Sequence, residues 1–162
     1  MTNPDPADDH EVVAQRHRDW TFNQDKSPQD PSFVFADAFA DFYDFTGGEA
    51  ILYDDLAPGQ RTALSAHDYG AMIEPLFNAL AQAEHAIEFG PSVLVSGRVA
   101  ATHLVFIARL TAPEGAVSGI RTRLVMSHVG GDWRIVREHN SSTCLEAAEL
   151  DALMLSLPTA GD

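Results

Sequence analysis

The length, composition and charge of the chain limit the classes of protein to which it can belong. Its 162 residues are enough for one domain with a substantial core, and a hydrophobic content of 45% predicts a folded chain. A net charge of −14 argues against nucleic acid or an anionic membrane surface as the partner, because both attract clustered Lys and Arg. The single cysteine, Cys144, excludes an intramolecular disulfide and a four-thiolate zinc site.

The start of the chain predicts a protein that stays in the reducing cytoplasm. Residues 1–6 contain neither the positive region nor the apolar region of a secretory signal peptide. No apolar run approaches the roughly 18 residues that a transmembrane helix needs, so we expect no membrane partner. Residues 1–8 are polar and contain two prolines, which predicts a mobile N-terminus.

The first half of the chain is predicted to be mainly helical. Apolar residues recur at helical spacing in three segments, residues 10–23, 32–43 and 68–81. Ser32 is placed to cap the second helix, and Pro75 predicts a kink or restart in the third. Between these two helices we expect a short strand over 50–54 and a loop over 56–66.

The second half is predicted to be mainly strands. The pattern favours strands over residues 84–96 (with a bend at Gly90-Pro91), 100–110, 119–129 and 133–140, and then a terminal helix over 145–157. Helices followed by a meandering antiparallel sheet are typical of an α+β fold. A curved sheet wrapped on a long helix encloses a cavity, which is a default site for a ligand.

The last hairpin predicts which side chains share a face. The pair Gly130-Gly131 indicates a two-residue turn closed by Val129 and Asp132. That register sets Arg123 opposite Glu138 on a mixed face that resembles the wall of a pocket. The other face is apolar and needs a core or a second subunit, so we expect a homodimer formed through Met126, Trp133 and Ile135.

Basic residues are concentrated around this hairpin. Residues 97–137 contain six of the ten Lys and Arg residues but only two acidic residues. A basic pocket wall in an acidic protein suggests a small anionic or carbonyl ligand, and the alternative is ordinary surface charge. No histidine pair has the spacing of metal ligands on a helix, so we expect no metal.

The closing sequence and the order of elements resemble a known group of folds. The residues that carry the resemblance are Gly131-Asp132-Trp133-Arg134-Ile135-Val136-Arg137-Glu138-His139-Asn140-Ser141. They resemble the NTF2-like superfamily, most of all its SnoaL-like and ketosteroid-isomerase-like proteins, and are similar to the association domain of calcium/calmodulin-dependent protein kinase. The resemblance implies a curved sheet wrapped around N-terminal helices as a cone-shaped barrel. It places this domain at residues 9–142, followed by a helix and tail at 143–162.

The resemblance also implies candidate site residues. Asp54 matches the general base on the first strand of the isomerase-like proteins. Arg123 falls where those proteins have a protonated acid, and looks like the pocket arginine of the kinase domain. Asn140 takes the position of another pocket arginine of that domain, and Arg109 lies two residues after a third.

Further candidate site residues are assigned from their positions in the predicted helices and strands. Trp20 lies near the position of a tyrosine that those isomerases have on the first helix, and Tyr43 could donate a hydrogen bond to a ligand. Glu138 could orient Arg123, and His103 could act as a second acid or base. His139 matches the histidine of the closing motif and faces away from Arg123, unless a one-residue bulge at the turn reverses it.

Each assignment has a structural alternative. Asp54 could be a solvated strand end, and Arg123 and Glu138 could form a closed ion pair. His103 could be a histidine of the core, and His139 could support the strand end. His85 and His67 are expected at the surface or at a strand edge.

Two functions remain open from the sequence. The first is an isomerase, dehydratase or hydratase that needs no cofactor and acts on a hydrophobic carbonyl or hydroxy compound through Asp54 or His103. The second is a ligand-binding or association domain without turnover, in which Arg123 and Arg109 bind a small carboxylate. A secluded Asp54 would favour the enzyme, because burial raises the pKa of a carboxyl group.

Overall fold

A computed structural model of the chain describes residues 6–56, 59 and 62–160. The helices are α1 (Pro6–Phe22), α2 (Phe35–Ala38), α3 (Ala66–Asn78) and α4 (Ala147–Ser156). The strands are β1 (Ile51–Asp54), β2 (Thr62–Ala63), β3 (Gln82–Ser96), β4 (Val99–Thr111), β5 (Val117–Val129) and β6 (Arg134–Leu145). Residues 1–5 of the N-terminus that we expected to be mobile, and 57, 58, 60 and 61 of the expected loop, lie outside the described residues.

The six strands form one sheet in the order β2-β1-β6-β5-β4-β3, which is not closed into a barrel. The predicted α+β class with a sheet packed on helices is confirmed. The sheet is mixed rather than purely antiparallel, because β1 runs parallel to β6. The side chains of the inner face pack against α1, α2 and α3, and the main core lies between the two layers.

The second helix is much shorter than the sequence predicts. It follows Val34 rather than Ser32 and ends at Ala38, after which the chain continues in turns to Tyr43. The carbonyl oxygen of Phe42 accepts a hydrogen bond of 2.8 Å from the backbone N–H of Ile135. The segment therefore leaves helical geometry because its backbone pairs with the end of the sheet while its aromatic rings fill the core.

The predicted register of the last hairpin is wrong. The turn has four residues, closed by Val129 and Arg134 instead of Val129 and Asp132, and a bulge follows between Ser127 and His128. Arg123 consequently lies opposite Ser141, three residues away from the expected Glu138. Side chains alternate along a strand, so a shift by an odd number exchanges the two faces.

The exchange separates Arg123 from the residues with which it was expected to share the pocket wall. Glu138 and Asn140 point into the protein and are 3% exposed, whereas Arg123 and His139 are exposed on the outer face. The residues expected to form the dimer face are instead buried in the interior, namely Met126, Trp133 and Ile135.

Candidate acid–base site

A cavity of about 260 Å³ lies between the helices and the inner face of the sheet. Its wall is mostly apolar, formed by Trp20, Leu56, Ile73, Leu76, Phe77, Leu80, Phe106, Ala108, Leu110 and Ile120. Its polar lining residues are Gln24, Asp54, His85, Thr122, Asn140 and Ser142. No Lys or Arg is among the described residues that line it.

Asp54 contributes a carboxyl group to this apolar wall from the end of β1. Its Oδ1 accepts a hydrogen bond of 2.8 Å from the backbone N–H of Leu56. Its Oδ2 accepts hydrogen bonds from Asn140 Nδ2 at 3.0 Å and from the hydroxyl of Tyr69 at 3.3 Å. The three donors are neutral, and among the described residues no cationic side chain hydrogen-bonds to Asp54.

A second carboxyl group, that of Glu138, lies at the centre of a buried network. Its Oε1 accepts hydrogen bonds from the Tyr69 hydroxyl at 2.6 Å and from Asn140 Nδ2 at 2.9 Å. Its Oε2 accepts a short hydrogen bond from Tyr43, whose hydroxyl in turn accepts one of 2.8 Å from Trp20 Nε1. The Tyr69 hydroxyl has a single hydrogen, which the 2.6 Å hydrogen bond to Glu138 and the longer 3.3 Å contact with Asp54 share. Asn140 and Tyr69 thus connect Glu138 with Asp54.

Burial determines the protonation of this network. Burial raises the pKa of Glu138 to about 7, although the donated hydrogen bonds from Tyr43 and Tyr69 act in the opposite direction. Burial also raises the pKa of Asp54, against the hydrogen bonds from Leu56 and Asn140. The pKa values of both tyrosines lie well above the usual value, because the hydroxyls are buried and Glu138 is close. The tyrosines therefore remain protonated donors.

Two hydroxyl groups provide a further donor in the cavity wall. Thr122 Oγ1 and Ser142 Oγ lie 2.9 Å apart on adjacent strands, and either can donate to the other. Because only one hydrogen is needed for this contact, the hydroxyl that accepts keeps its own hydrogen for a ligand.

The structure brings together five of the nine candidate residues. Asp54, Glu138, Asn140, Tyr43 and Trp20 form one connected group at the cavity. Their partners differ from those we expected, since Glu138 pairs with tyrosines and Asn140 rather than with Arg123.

The other four candidates, Arg123, Arg109, His103 and His139, lie away from the cavity. His139 stacks on Tyr53 with ring centroids 4.8 Å apart, and Arg123 shares this outer face of the sheet. Arg109 forms an ion pair with Asp151 of α4. The ring of His103 contacts the partly exposed Phe89 at 5.5 Å between centroids. The physical reason is the alternation of side chains along β4, β5 and β6, whose neighbouring inward positions are taken by other residues, namely Leu104, Ala108, Leu110, Leu124, Glu138 and Asn140.

The sequence reasoning missed Tyr69 and His85. Tyr69 lies four residues before Ile73 on the buried face of α3, so its helical spacing could have identified it. His85, expected at the surface or at a strand edge, lies on the edge strand β3 but is only 3% exposed, with its ring 5.5 Å from that of Phe106. Only the pairing of β3 with its neighbours reveals that it faces inward. No set of three metal-binding side chains occurs within the described part of the chain.

The fold is the NTF2-like fold, as comparison with solved structures shows. The Kfla4162 protein from Kribbella flavida is 18% identical with a TM-score of 0.68, over 90% of this chain and 99% of that one. An NTF2-like superfamily protein from Salmonella enterica is 11% identical with a TM-score of 0.66, over 88% and 96%. The association domain of C. elegans CaMKII is 9% identical with a TM-score of 0.56, over 83% and 95%.

These likenesses confirm the predicted fold, and identities this low carry no information on activity. No family model matches the sequence, and no curated protein matches it either. Across the residues that the structure describes, no helix combines the length and apolar character needed to cross a membrane.

Proposed function

We propose that the protein is a cofactor-free acid–base enzyme that isomerises, dehydrates or hydrates a hydrophobic carbonyl or hydroxy compound. The observation that carries this proposal is the state of Asp54. Its carboxyl group lies in an apolar cavity wall, is held by three neutral donors and has a pKa raised by burial. A carboxylate whose pKa is closer to neutral is a more effective proton acceptor.

The geometry supports a division of roles around the reacting atoms. Asp54 would take a proton from the carbon next to a substrate carbonyl. The free hydrogen of the Thr122–Ser142 pair would then be donated to the oxygen that gains negative charge. Return of the proton to a different carbon completes an isomerisation, and its delivery to a departing hydroxyl completes a dehydration.

The supporting network would keep Asp54 in place during this transfer. Asn140 and Tyr69 donate to Asp54, and both are themselves fixed by Glu138. Glu138 does not line the cavity, so we propose that it positions these donors rather than contacting the substrate.

The lining favours an uncharged ligand over the anionic ligand suggested by the sequence. The expected carboxylate-binding residues, Arg123 and Arg109, lie on the outer side of the sheet and at α4. The described cavity wall offers no cation to compensate the cost of burying a carboxylate. A ring compound with hydroxyl or carbonyl groups matches this lining better.

We also propose a homodimer, formed through the outer face of the sheet. Since the three residues first assigned to that interface are buried, the apolar residues exposed on the outer face take their place. Val125 is 48% exposed and Ile51 42% exposed there.

Proton abstraction can be tested before the natural substrate is known. Each protein would be incubated in D₂O with 1-tetralone or 1-indanone, and incorporation of deuterium next to the carbonyl would be followed by mass spectrometry. We expect acceleration by the wild type and a loss of about 100-fold in Asp54→Asn, because a general base contributes that much or more. Asp132→Asn, which changes an exposed aspartate in the last turn, is the matched control.

Binding of a ketone without acceleration of exchange would contradict the catalytic proposal. It would leave a ligand-binding domain without turnover, the other function that the sequence allows. Asp54→Asn should still bind the ketone, because the amide keeps the shape of the side chain. This separates a lost base from a lost cavity.

A further inference from the structure

The cavity has a second polar end, formed by residues that the proposed reaction does not use. His85 lies on β3 and Asp54 on β1, and β6, β5 and β4 lie between them in the sheet. Both residues nevertheless line the same cavity, with apolar side chains between them.

His85 is held firmly in one orientation. Its ring Nδ1 donates a hydrogen bond of 2.8 Å to Asp25 Oδ1, and the same oxygen accepts the backbone N–H of His85 at 2.9 Å. A carboxylate fixes the tautomer of a histidine whose Nδ1 it accepts. The polar atom of the ring that remains for the cavity is Nε2, an acceptor in the neutral ring.

A donor without a partner lies in the wall beside it. Gln24, adjacent to Asp25 in the chain, also lines the cavity, and its Nε2 is buried with no hydrogen-bond partner among the described residues. A ligand hydroxyl can donate one hydrogen bond and accept others, so it can satisfy both His85 and Gln24.

The Asp54 end has the same property. Asn140 uses its Nδ2 for Asp54 and Glu138, and its Oδ1 is buried without a partner in the described part of the chain. Buried polar atoms without partners are costly, and few occur in a folded protein. Here they occur at both ends of a cavity whose remaining wall is apolar apart from the hydroxyls of Thr122 and Ser142.

From this arrangement we infer that the ligand is an elongated apolar molecule with a hydroxyl group at each end, because the acceptors Asn140 Oδ1 and His85 Nε2 both need a donor. One end meets Asp54 and Asn140, and the other is recognised by His85 and Gln24. Asp25 acts as a positioning residue for His85. The inference deepens the proposed function by naming the substrate class, and it rests on that function only for the role of Asp54.

Equilibrium binding tests this without any turnover. Two pairs of probes would be titrated while tryptophan fluorescence is recorded, because Trp20 lines the cavity. The pairs are 4-hydroxybiphenyl with 4,4′-dihydroxybiphenyl, and 2-naphthol with 2,6-dihydroxynaphthalene. We expect at least one of the dihydroxy compounds to bind the wild type about tenfold more tightly than its monohydroxy partner, the effect of one well-made hydrogen bond.

The variants assign this preference to the second polar end. His85→Leu should remove the preference, His85→Gln should keep part of it, and His10→Leu, an exposed histidine on α1, should leave it unchanged. Asp25→Asn should weaken it, since the ring is no longer held in one tautomer. Far-ultraviolet circular dichroism would confirm that each variant is folded. If His85→Leu does not fold, a reduced preference in His85→Gln replaces it as the test of the second polar end.

A preference that survives in His85→Leu would overturn the inference. So would a wild type that shows no preference in either pair, whether it binds both members equally or neither. A loss of deuterium exchange with an intact preference would reject the acid–base function alone, so the two proposals fail separately.

Discussion

At the scale of single residues, Glu138 is the most consequential side chain. A carboxyl group that is 3% exposed requires donors, and it receives them from Tyr43, Tyr69 and Asn140. The sequence identified Glu138, Asn140 and Tyr43 as members of the site. It could not identify their mutual contacts, because Tyr43, Tyr69 and Glu138 are far apart in the chain and only the packing of α3 on the sheet unites them.

The raised pKa of Glu138 predicts a pH-dependent stability. The folded protein holds the Glu138 proton up to pH about 7, whereas the unfolded chain releases it near the ordinary value of 4.5. This stabilising contribution is therefore complete below pH 4.5 and is lost as the pH rises through 7. Between pH 5.5 and 8.5 the wild type should lose about 2 kcal/mol of unfolding free energy relative to Glu138→Gln, which does not titrate.

Urea denaturation of both proteins at these two pH values would measure the difference. Comparison with the variant cancels the contributions that the buried histidines and other groups titrating in the same range make to the unfolding free energy. A constant difference in unfolding free energy at both pH values would show that Glu138 ionises at its ordinary pKa in the folded protein.

At the scale of elements, periodicity predicted most helices and strands but not the register of the last hairpin. The pair Gly130-Gly131 correctly indicated a turn, yet Trp133, with φ of +49°, extends it to four residues. The bulge then adds one more residue, Val136 of β6, between the pairs Ser127–Arg137 and His128–Ile135. Neither feature has a signature in the local sequence, because both are selected by which side chains the core accepts. The misplacement of Arg123 followed from this one error, and the bulge brings His139 onto the same face as Arg123, the alternative that the sequence left open.

The packing of α1 on the sheet buries a histidine at a cost in free energy of unfolding. His17 on the buried face of α1 is fully buried, and neither ring nitrogen has a hydrogen-bond partner among the described residues. Burial, together with His128 and His103 nearby, lowers its pKa to about 3. Because His17 stays neutral in the folded state, its ionisation leaves the stability unchanged above the ordinary pKa of about 6.5. As the pH falls below that value the unfolded chain binds a proton that the folded protein does not, and the free energy of unfolding decreases.

We therefore predict that His17→Leu stabilises the protein, and does so more at low pH. Leucine has a similar volume and no polar atom to desolvate, so we expect a gain of about 1 kcal/mol at pH 7.5. The gain should be about 1 kcal/mol larger at pH 5.5, where the unfolded wild type binds a proton at this residue. Thermal unfolding would show it, with His10→Leu on the same helix as the control. A loss of stability at both pH values would indicate that the ring of His17 has a partner in solution.

At the scale of the whole molecule, the two faces of the sheet lie in different environments. The inner face carries the cavity and its buried carboxyl groups, and α1, α2 and α3 cover it. The outer face exposes apolar side chains close to the middle of the sheet. One of them is Val125 of β5, which lies between His103 on β4 and His139 on β6. Exposed apolar residues on a sheet face are typical of an interface between subunits, whereas a net charge of −14 opposes nonspecific association.

The proposed dimer makes a specific prediction for Val125. Near the axis of a twofold interface each residue meets its own copy, so Val125→Glu would bring two carboxylates together in an apolar contact. We expect the wild type to sediment as a dimer at micromolar concentration and Val125→Glu as a monomer. Leu155→Glu changes a residue of α4 that is 89% exposed, adds the same charge and should remain dimeric. If the cavity belongs to each subunit alone, the monomeric variant should keep the deuterium exchange activity. A monomeric wild type would contradict the proposed dimer. A dimer that tolerates Val125→Glu would show that the interface lies elsewhere.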